Sequence, residues 1–586
     1  MTETIETGRA EEDRPDAATG GYRWRWAALL VILAGEVMDM LDVLITNIAA
    51  PTIRAELGGS ASTMQWLAAG YTLAMAVGLI TGGRLGDLYG RRRMFLIGAG
   101  GFTVASLLCG IAVSPGTLIG ARLLQGAFGA LMLPQGIGMI KQMFTPKQMA
   151  AAFGLFGPIM GLSSVGGPVL AGWLVDADLF GTGWRMIFLI NLPVGLAAVL
   201  AGLRYLPAGR SKQATRLDLT GAALASTGAG LLVFPLVQGR ELDWPAWTFL
   251  MMAASVAVFA VFAWYEVRKQ RAGGDPLIVP SLFRKRGFTG GLAVGLVFFS
   301  GVAGFGLVFS LYLQMGLGYS PLKAGLSQIP WSVGIMVGFG AAQAVQRLGR
   351  TVIHIGTAAM AAGVAGMVAT LHLAGLDVTP WQFTPALIVT GLGMGMMMAP
   401  FFDTVLGGVE PEETGSAGGT LTAVQQLGSA LGAAVLGTVF FGILGGHVTG
   451  AVDHDAPGLR AQLTAASVPA ARQDPIVAGL RACGDDRATA KDPAAVPASC
   501  ARLQRDVAAA VATVPESAPA VQRAVGAAAG HSAKTGFDGA MKVTLWVEVG
   551  LLGLTFVMVF LLPMHARPEE DAPEPETGTG AVPATA

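Results

Sequence analysis

Gly35-Glu36-Val37-Met38-Asp39-Met40-Leu41-Asp42-Val43-Leu44-Ile45-Thr46-Asn47 lies in the middle of the first long apolar run, which begins near Trp26 and ends before Pro51. That run is long enough to cross a hydrocarbon core about 30 Å thick, yet it holds three carboxylates. Each ionised carboxylate at the bilayer centre costs about 2.5–3.5 kcal/mol on insertion scales, so such groups face a cavity or a partner and mark transport or proton paths. On a helix, positions 36, 39 and 42 fall within an arc of roughly 120°. Three like charges so close in a dry place do not all stay ionised, so at least one takes up a proton readily. Two readings follow. Either Asp42, with Glu36 and Asp39 in support, handles protons, or the acids face a water-filled cavity and only tune its charge.

The rest of the composition agrees with a membrane origin for this run. Hydrophobic residues make up 53% of the 586 and charged residues 13%, against about 25% charged in soluble domains. The 83 glycines and 25 methionines suit closely packed, adjustable transmembrane helices. The net charge is zero and no basic stripe points to nucleic acid. Residues 1–20 are polar and acidic, so no cleavable signal peptide is expected.

Windows of about 20 residues predict about fourteen spans, near 26–48, 64–84, 94–113, 117–140, 150–175, 184–206, 217–238, 246–265, 288–314, 324–346, 351–373, 382–406, 419–445 and 541–563. One set of loops holds Arg91, Arg92, Arg93, Arg204, Arg268, Lys269, Arg347 and Arg350; the opposite short loops hold little beyond Arg54, Arg185, Arg240 and Lys323. The positive-inside bias then puts both termini in the cytoplasm. Residues 446–540 read as a long Ala/Pro-rich exterior loop. Its Cys483 and Cys500 form either a disulfide, worth up to about 3 kcal/mol for this ring, or two free thiols. The tails at 1–25 and 564–586 read as disordered. Trp24, Trp26, Trp66, Trp184, Trp244, Trp247 and Trp381 are expected as interfacial anchors.

The segment Gln346-Arg347-Leu348-Gly349-Arg350 is a degraded echo of Gly83-Arg84-Leu85-Gly86-Asp87-Leu88-Tyr89-Gly90-Arg91-Arg92-Arg93. That repeat divides the chain into a six-helix bundle at 26–206, two inserted helices and linkers at 207–287, and a second bundle at 288–563. Arg122 is expected about 8 Å inside one face and Asp42 about 24 Å from the other, by helix rise, so the two sit at nearly one depth. The pair is either an exchangeable partnership, in which a proton competes for the carboxylate, or a permanent structural ion pair.

Several motifs stand in order: Leu41-Asp42…Asn47…Ala49…Pro51; the Gly83–Arg93 loop; Arg122-Leu123-Leu124-Gln125-Gly126; Ser163…Gly167-Pro168…Ala171-Gly172…Leu174; and Trp184-Arg185-Met186-Ile187-Phe188-Leu189-Ile190-Asn191-Leu192-Pro193. Together they resemble the major facilitator superfamily, specifically its fourteen-helix drug:proton antiporter branch, over nearly all of the membrane part. Thr46, Ala50, Ser163 and Ala171 depart from that branch's usual residues. The resemblance implies an all-α fold of two six-helix bundles plus two extra helices. It implies that Gly83, Asp87, Gly90, Arg91 and Arg92 latch one side shut, and that Gly167, Pro168 and Gly172 seal the exchange path. For the latter the bland reading is a tightly packed helix with no gating role. Acids that other members place in the thirteenth span are absent, which argues against divalent-cation substrates.

Asp403 and Glu548 are the other acids at membrane depth and stand as possible second acidic sites. The histidines are dispersed, and no Walker loop, His-x-x-x-His or nucleophile elbow occurs. The expectation is therefore a secondary transporter, not an enzyme, with no cofactor and no metal. It would be a proton-coupled exporter of amphipathic small molecules in a bacterial inner membrane, working as a monomer. The rivals are an exporter dedicated to one endogenous metabolite or lipid, and a non-transporting receptor or scaffold.

Overall fold

The computed structural model describes residues 22–144, 146–208, 217–410, 413–489 and 496–564. Apart from 22–25 and 564, the expected tails lie outside the described residues. The described chain is helical almost throughout. The helices are α1 (Arg25–Leu57), α2 (Ala61–Tyr89), α3 (Arg91–Gly110), α4 (Pro115–Met143), α5 (Pro146–Asp176), α6 (Asn191–Tyr205), α7 (Leu219–Gln238), α8 (Ala246–Arg271) and α9 (Arg286–Leu311). They continue with α10 (Pro321–Leu326), α11 (Ile329–Ala344), α12 (Arg350–Ala374), α13 (Pro380–Leu406), α14 (Thr414–Ala465), α15 (Ala470–Thr489), α16 (Ala498–Thr513) and α17 (Ala518–Met558).

Helices are what the sequence permits in oil, because each satisfies its own backbone hydrogen bonds. Their ends are written in ordinary capping chemistry. Ser60 with Thr63 and Thr379 with Gln382 make capping boxes. Gly90, at φ 98°, makes the turn between α2 and α3, a backbone region that side chains avoid.

Eleven helices among the described residues are long and apolar enough to cross a membrane. The other three expected spans coincide with α1, whose apolar face is interrupted by three acids, with α5, and with the 16-residue α11. One continuous apolar core joins both halves of the chain, and a second lies inside the first half around Phe95, Phe102 and Met132.

Two readings need correction. The described residues between 446 and 540 form helices rather than an irregular loop: α14 runs 52 residues, α17 runs 41, and α15 and α16 lie beside their extended ends. A separate core of Leu459, Leu463, Ile476, Leu480, Leu503 and Val521 fills this head, and Cys483 and Cys500 are disulfide-bonded within it. Of its prolines, Pro497 sits at the cap of α16 and Pro519 in the first turn of α17, where they cost no hydrogen bond, while Pro457 and Pro475 lie inside α14 and α15, which run on through them. Trp184 is no interfacial anchor. It is fully buried beside Phe188, with the Arg185 guanidinium 4.5 Å from its ring.

The inserted pair lies against the first half at both ends of α2. At one end Ser62 N donates to Glu241 (3.0 Å) and Trp66 Nε1 to Gln238 (3.3 Å), while Thr438 of α14 donates to the Leu236 carbonyl (2.7 Å). At the other end Arg84 donates to the carbonyls of Asp275, Pro276 and Leu277. The amides of Leu277 and Ile278 donate to Asp218 and Glu266 (3.1 and 3.0 Å).

Candidate functional site

Asp42 is 2% exposed and Arg122 is 1% exposed, and they form an ion pair in the middle of the first half. The close approach of α2 and α4 makes this possible: a Cβ on Gly126 would stand 2.3 Å from the Tyr71 carbonyl, so that position admits only glycine. Arg122 is then held from several sides. Its Nε donates to the Leu67 carbonyl (3.1 Å), its Nη1 to Gln125 (2.7 Å), and its guanidinium lies 4.3 Å from the Tyr71 ring centre. Asp42 accepts from Gln125 Nε2 (2.8 Å) and Asn191 Nδ2 (3.2 Å) as well as from Arg122. Ser106 of α3 accepts from the same two amides (2.9 and 3.4 Å), closing the network.

The carboxylate is thus fully satisfied and its charge is balanced. Removing one partner of such a pair costs about 3–5 kcal/mol, because the other charge is left stranded. One turn along α1, Asp39 accepts from the Tyr71 hydroxyl, so Tyr71 touches both Asp39 and Arg122. Glu36, another turn along, is half-buried and has no hydrogen-bond partner among the described residues. The structure therefore brings Asp42, Arg122 and Asp39 together through Tyr71 and leaves Glu36 at the end of the line. Gln125 and Asn191 stood inside quoted motifs without an assigned part. Tyr71 and Ser106 were missed; each shares its apolar run with other polar residues, such as Thr72 and Thr103, and no local signal singled it out.

The Gly83–Arg93 segment closes on itself: Arg91 donates to Asp87 from Nε and Nη2 (3.1 and 2.9 Å), and Arg92 to the Leu203 carbonyl. A Cβ on Gly83 would meet Pro134 at ordinary contact distance. At the far end of the bundle the two halves meet. A Cβ on Gly172 would stand 2.4 Å from Leu322 Cα, and one on Gly325 would stand 2.2 Å from the Pro168 carbonyl. Gly167 faces Leu44 and Leu41 of α1, and α5 is one helix through Pro168. Ser310 and Gln314 add hydrogen bonds to the carbonyls of Asn47 and Ile48 (3.0 and 2.8 Å). Along the seam between α2 and α14, Gln426 Nε2 lies 2.5 Å from Met75 Sδ.

The other two acids differ sharply. Asp403 is exposed near the end of α13 and joins no ion pair among the described residues. Glu548 is 1% exposed in the second half.

Residues 32–433 match the Major Facilitator Superfamily. The chain belongs to this superfamily. It is 49% identical over 562 residues to the probable actinorhodin transporter of Streptomyces coelicolor, covering 95% of each chain. It is 37% identical to the puromycin resistance protein pur8 of Streptomyces alboniger, covering 71% of this chain and 82% of that one. It is 35% identical to the tetracenomycin C resistance and export protein of Streptomyces glaucescens, covering 72% and 77%. In fold it is similar to tetrameric PepTSo2 (TM-score 0.51, 15% identity, 91% and 99% covered). It is equally similar to a bacterial homologue of the human lysosomal transporter Spinster in its inward-facing, occupied conformation (TM-score 0.51, 16% identity, 92% and 97% covered). As a member of the major facilitator superfamily, the chain is a multi-pass membrane transporter of small molecules and not an enzyme.

Proposed function

We propose that this protein is a proton-coupled antiporter that exports amphipathic small molecules of the antibiotic type across a bacterial inner membrane, with both termini cytoplasmic. The observation that carries the reading is the buried Asp42–Arg122 pair joined through Tyr71 to Asp39. The names of the relatives, which are exporters and resistance proteins, support the export of drug-like compounds.

The chemistry follows from charge balance. With Asp42 ionised the network is neutral, and Asp39 and Glu36 attract a cationic or strongly dipolar substrate. A proton on Asp42 leaves the Arg122 charge uncompensated in a dry place, which repels such a substrate and favours its release. Protonation and substrate binding thus oppose each other, the requirement for exchange. Each proton driven inward by about 100 mV supplies about 2.3 kcal/mol. The contacts at Gly172, Gly325 and Gln314 lie at the end assigned to the exterior, so the structure reads as closed outside. On this reading Asp87, Gly90, Arg91 and Arg92 close the opposite end in the alternate state.

Everted membrane vesicles supplied with ethidium from outside test the proposal. Ethidium uptake should follow the proton gradient, collapse with an uncoupler, and disappear in Asp42→Asn. Uptake that survives either treatment removes Asp42 from the coupling role. A second reading, export of one dedicated metabolite, draws on the match to the probable actinorhodin transporter, which extends over the head as well. Ethidium would then not be transported, while a narrow set of the cell's own products would be.

A further inference from the structure

Of the two buried acids among the described residues of the second half, Asp538 has a lysine partner and Glu548 has a different environment. Glu548 lies on the inward face of α17, in line with Thr544 and Thr555, and both of its carboxyl oxygens lack a hydrogen-bond partner among the described residues. The neighbouring hydroxyls are already committed. Thr544 and Thr555 donate to the carbonyls of Ala540 and Leu551, and Ser300 donates to those of Leu296 and Gly428. Across the interface stands Gly301 of α9: a Cβ there would come within 2.6 Å of Glu548 Oε1, so the glycine leaves the carboxyl its space.

The charged and titratable groups on the elements packed against α17 lie away from Glu548. On α12, His354 packs on Phe556 and Phe560, Arg350 donates to the carbonyls of Phe560 and Leu562, and His372 is exposed. On α14, His447 faces Gly539; beyond it Asp453, His454, Asp455 and Arg460 pair among themselves and within the head. Tyr312 lies against Gly316, which packs on Phe537, and Arg286 begins α9 beside Gly287, which packs on Pro563. On α17 itself Asp538 pairs with Lys542 (2.6 Å), about 9 Å along the helix from Glu548 by its rise.

An ionised carboxylate with no donor and no counter-charge is among the costliest things to bury. A metal ion would need several oxygen ligands, and the described residues contain no cluster that could hold one. We infer that Glu548 is a second, exchangeable proton-binding site of this transporter, in the half opposite Asp42. A proton adds to one carboxyl oxygen from water and leaves the same way, with no other bond made or broken. The inference rests on the proposed proton coupling only for its use in transport, not for the site itself.

Infrared difference spectra of the purified full-length protein in lipid vesicles test the site without any substrate. At neutral pH we expect a protonated-carboxyl band that shifts in heavy water, vanishes in Glu548→Gln and persists in Asp42→Asn. Glu548→Asp should restore a displaced band, which separates loss of the acid from misfolding. A band unchanged by Glu548→Gln, or one that never exchanges deuterium, overturns the inference. Ethidium transport in proteoliposomes then tests its use: balancing an ethidium gradient against a set pH gradient should give one proton fewer per ethidium in Glu548→Gln. An unchanged ratio overturns the second site as a transport site. Wild-type protein that moves no ethidium under a pH gradient counts against the proposed function, while the spectra still decide the site.

Discussion

The two halves share a helical plan, and each buries an acid at its helix packing, Asp42 in the first and Glu548 in the second, but they treat it in opposite ways. In the first half Asp42 is surrounded by donors: a guanidinium and two amides reach its two oxygens. In the second, Glu548 has none among the described residues. On the inference drawn above, the first arrangement holds a charge and the second a proton. A duplicated scaffold thus leaves its halves free to differ in chemistry while their packing stays alike.

The largest test of this contrast is Arg122→Ala. It strands Asp42 in the core, and we expect about 3–5 kcal/mol of lost stability, read as a large fall in Tm, together with loss of export. Arg122→Lys should fold but export poorly, because an ammonium cannot keep the Leu67, Gln125 and Tyr71 contacts at once. The corresponding deletion in the other half, Glu548→Gln, should leave Tm nearly unchanged. Equal destabilisation by the two changes would end the contrast.

Next in size is Gly172→Val, which places methyl groups where Leu322 now packs. The halves should fold separately but fail to close, lowering export at least about tenfold, the cost of roughly 1.4 kcal/mol of lost closing energy. Tyr71→Phe removes the hydroxyl on Asp39 and keeps the ring under Arg122. One such hydrogen bond is worth about 1 kcal/mol, so a several-fold rise in KM for a cationic probe is expected with little change in Tm.

The head provides a control outside both halves. Replacing Cys483 and Cys500 by Ser should lower the unfolding temperature of the head, by up to about 3 kcal/mol in its stability, and leave export alone. The smallest effect is at the linker. Lys285 donates to Glu413 (2.7 Å), and Ser281 to the same carboxylate (2.5 Å). Hydrogen bonds from Lys285, then Ser281, hold the Glu413 carboxyl below its ordinary value of 4.5, and Glu413 holds Lys285 above 10.5. The stabilisation from Glu413 is present above its unfolded value and is lost as pH falls through the lowered one. That from Lys285 is lost only as pH rises through the raised one. Thermal melts across neutral pH should therefore show no step from this pair, and a step there would contradict it.

Much of this contrast was readable from residue order. The depth estimate for Asp42 and Arg122 used only helix rise, and runs of apolar residues marked the spans because each span must be apolar to sit in oil. The partners were less visible. Tyr71 and Ser106 reach Asp39 and the amides through helix packing, which no local pattern encodes. The head was misread because its helices are rich in Ala, Arg and Asp rather than in large apolar residues, and its prolines either start helices or are carried inside them without ending them. Trp184 was misplaced for a related reason: its position near a span end suggested the interface, while tertiary packing carried it inside.

The two long helices of the second half run without a break from the bundle into the head. At helical rise, the 52 residues of α14 make a mast of about 78 Å, so a tilt of roughly 10° at its foot would swing its tip by about 13 Å. Motions too small to follow within the bundle would be magnified there, making the head a natural place for a fluorescent reporter of each stroke.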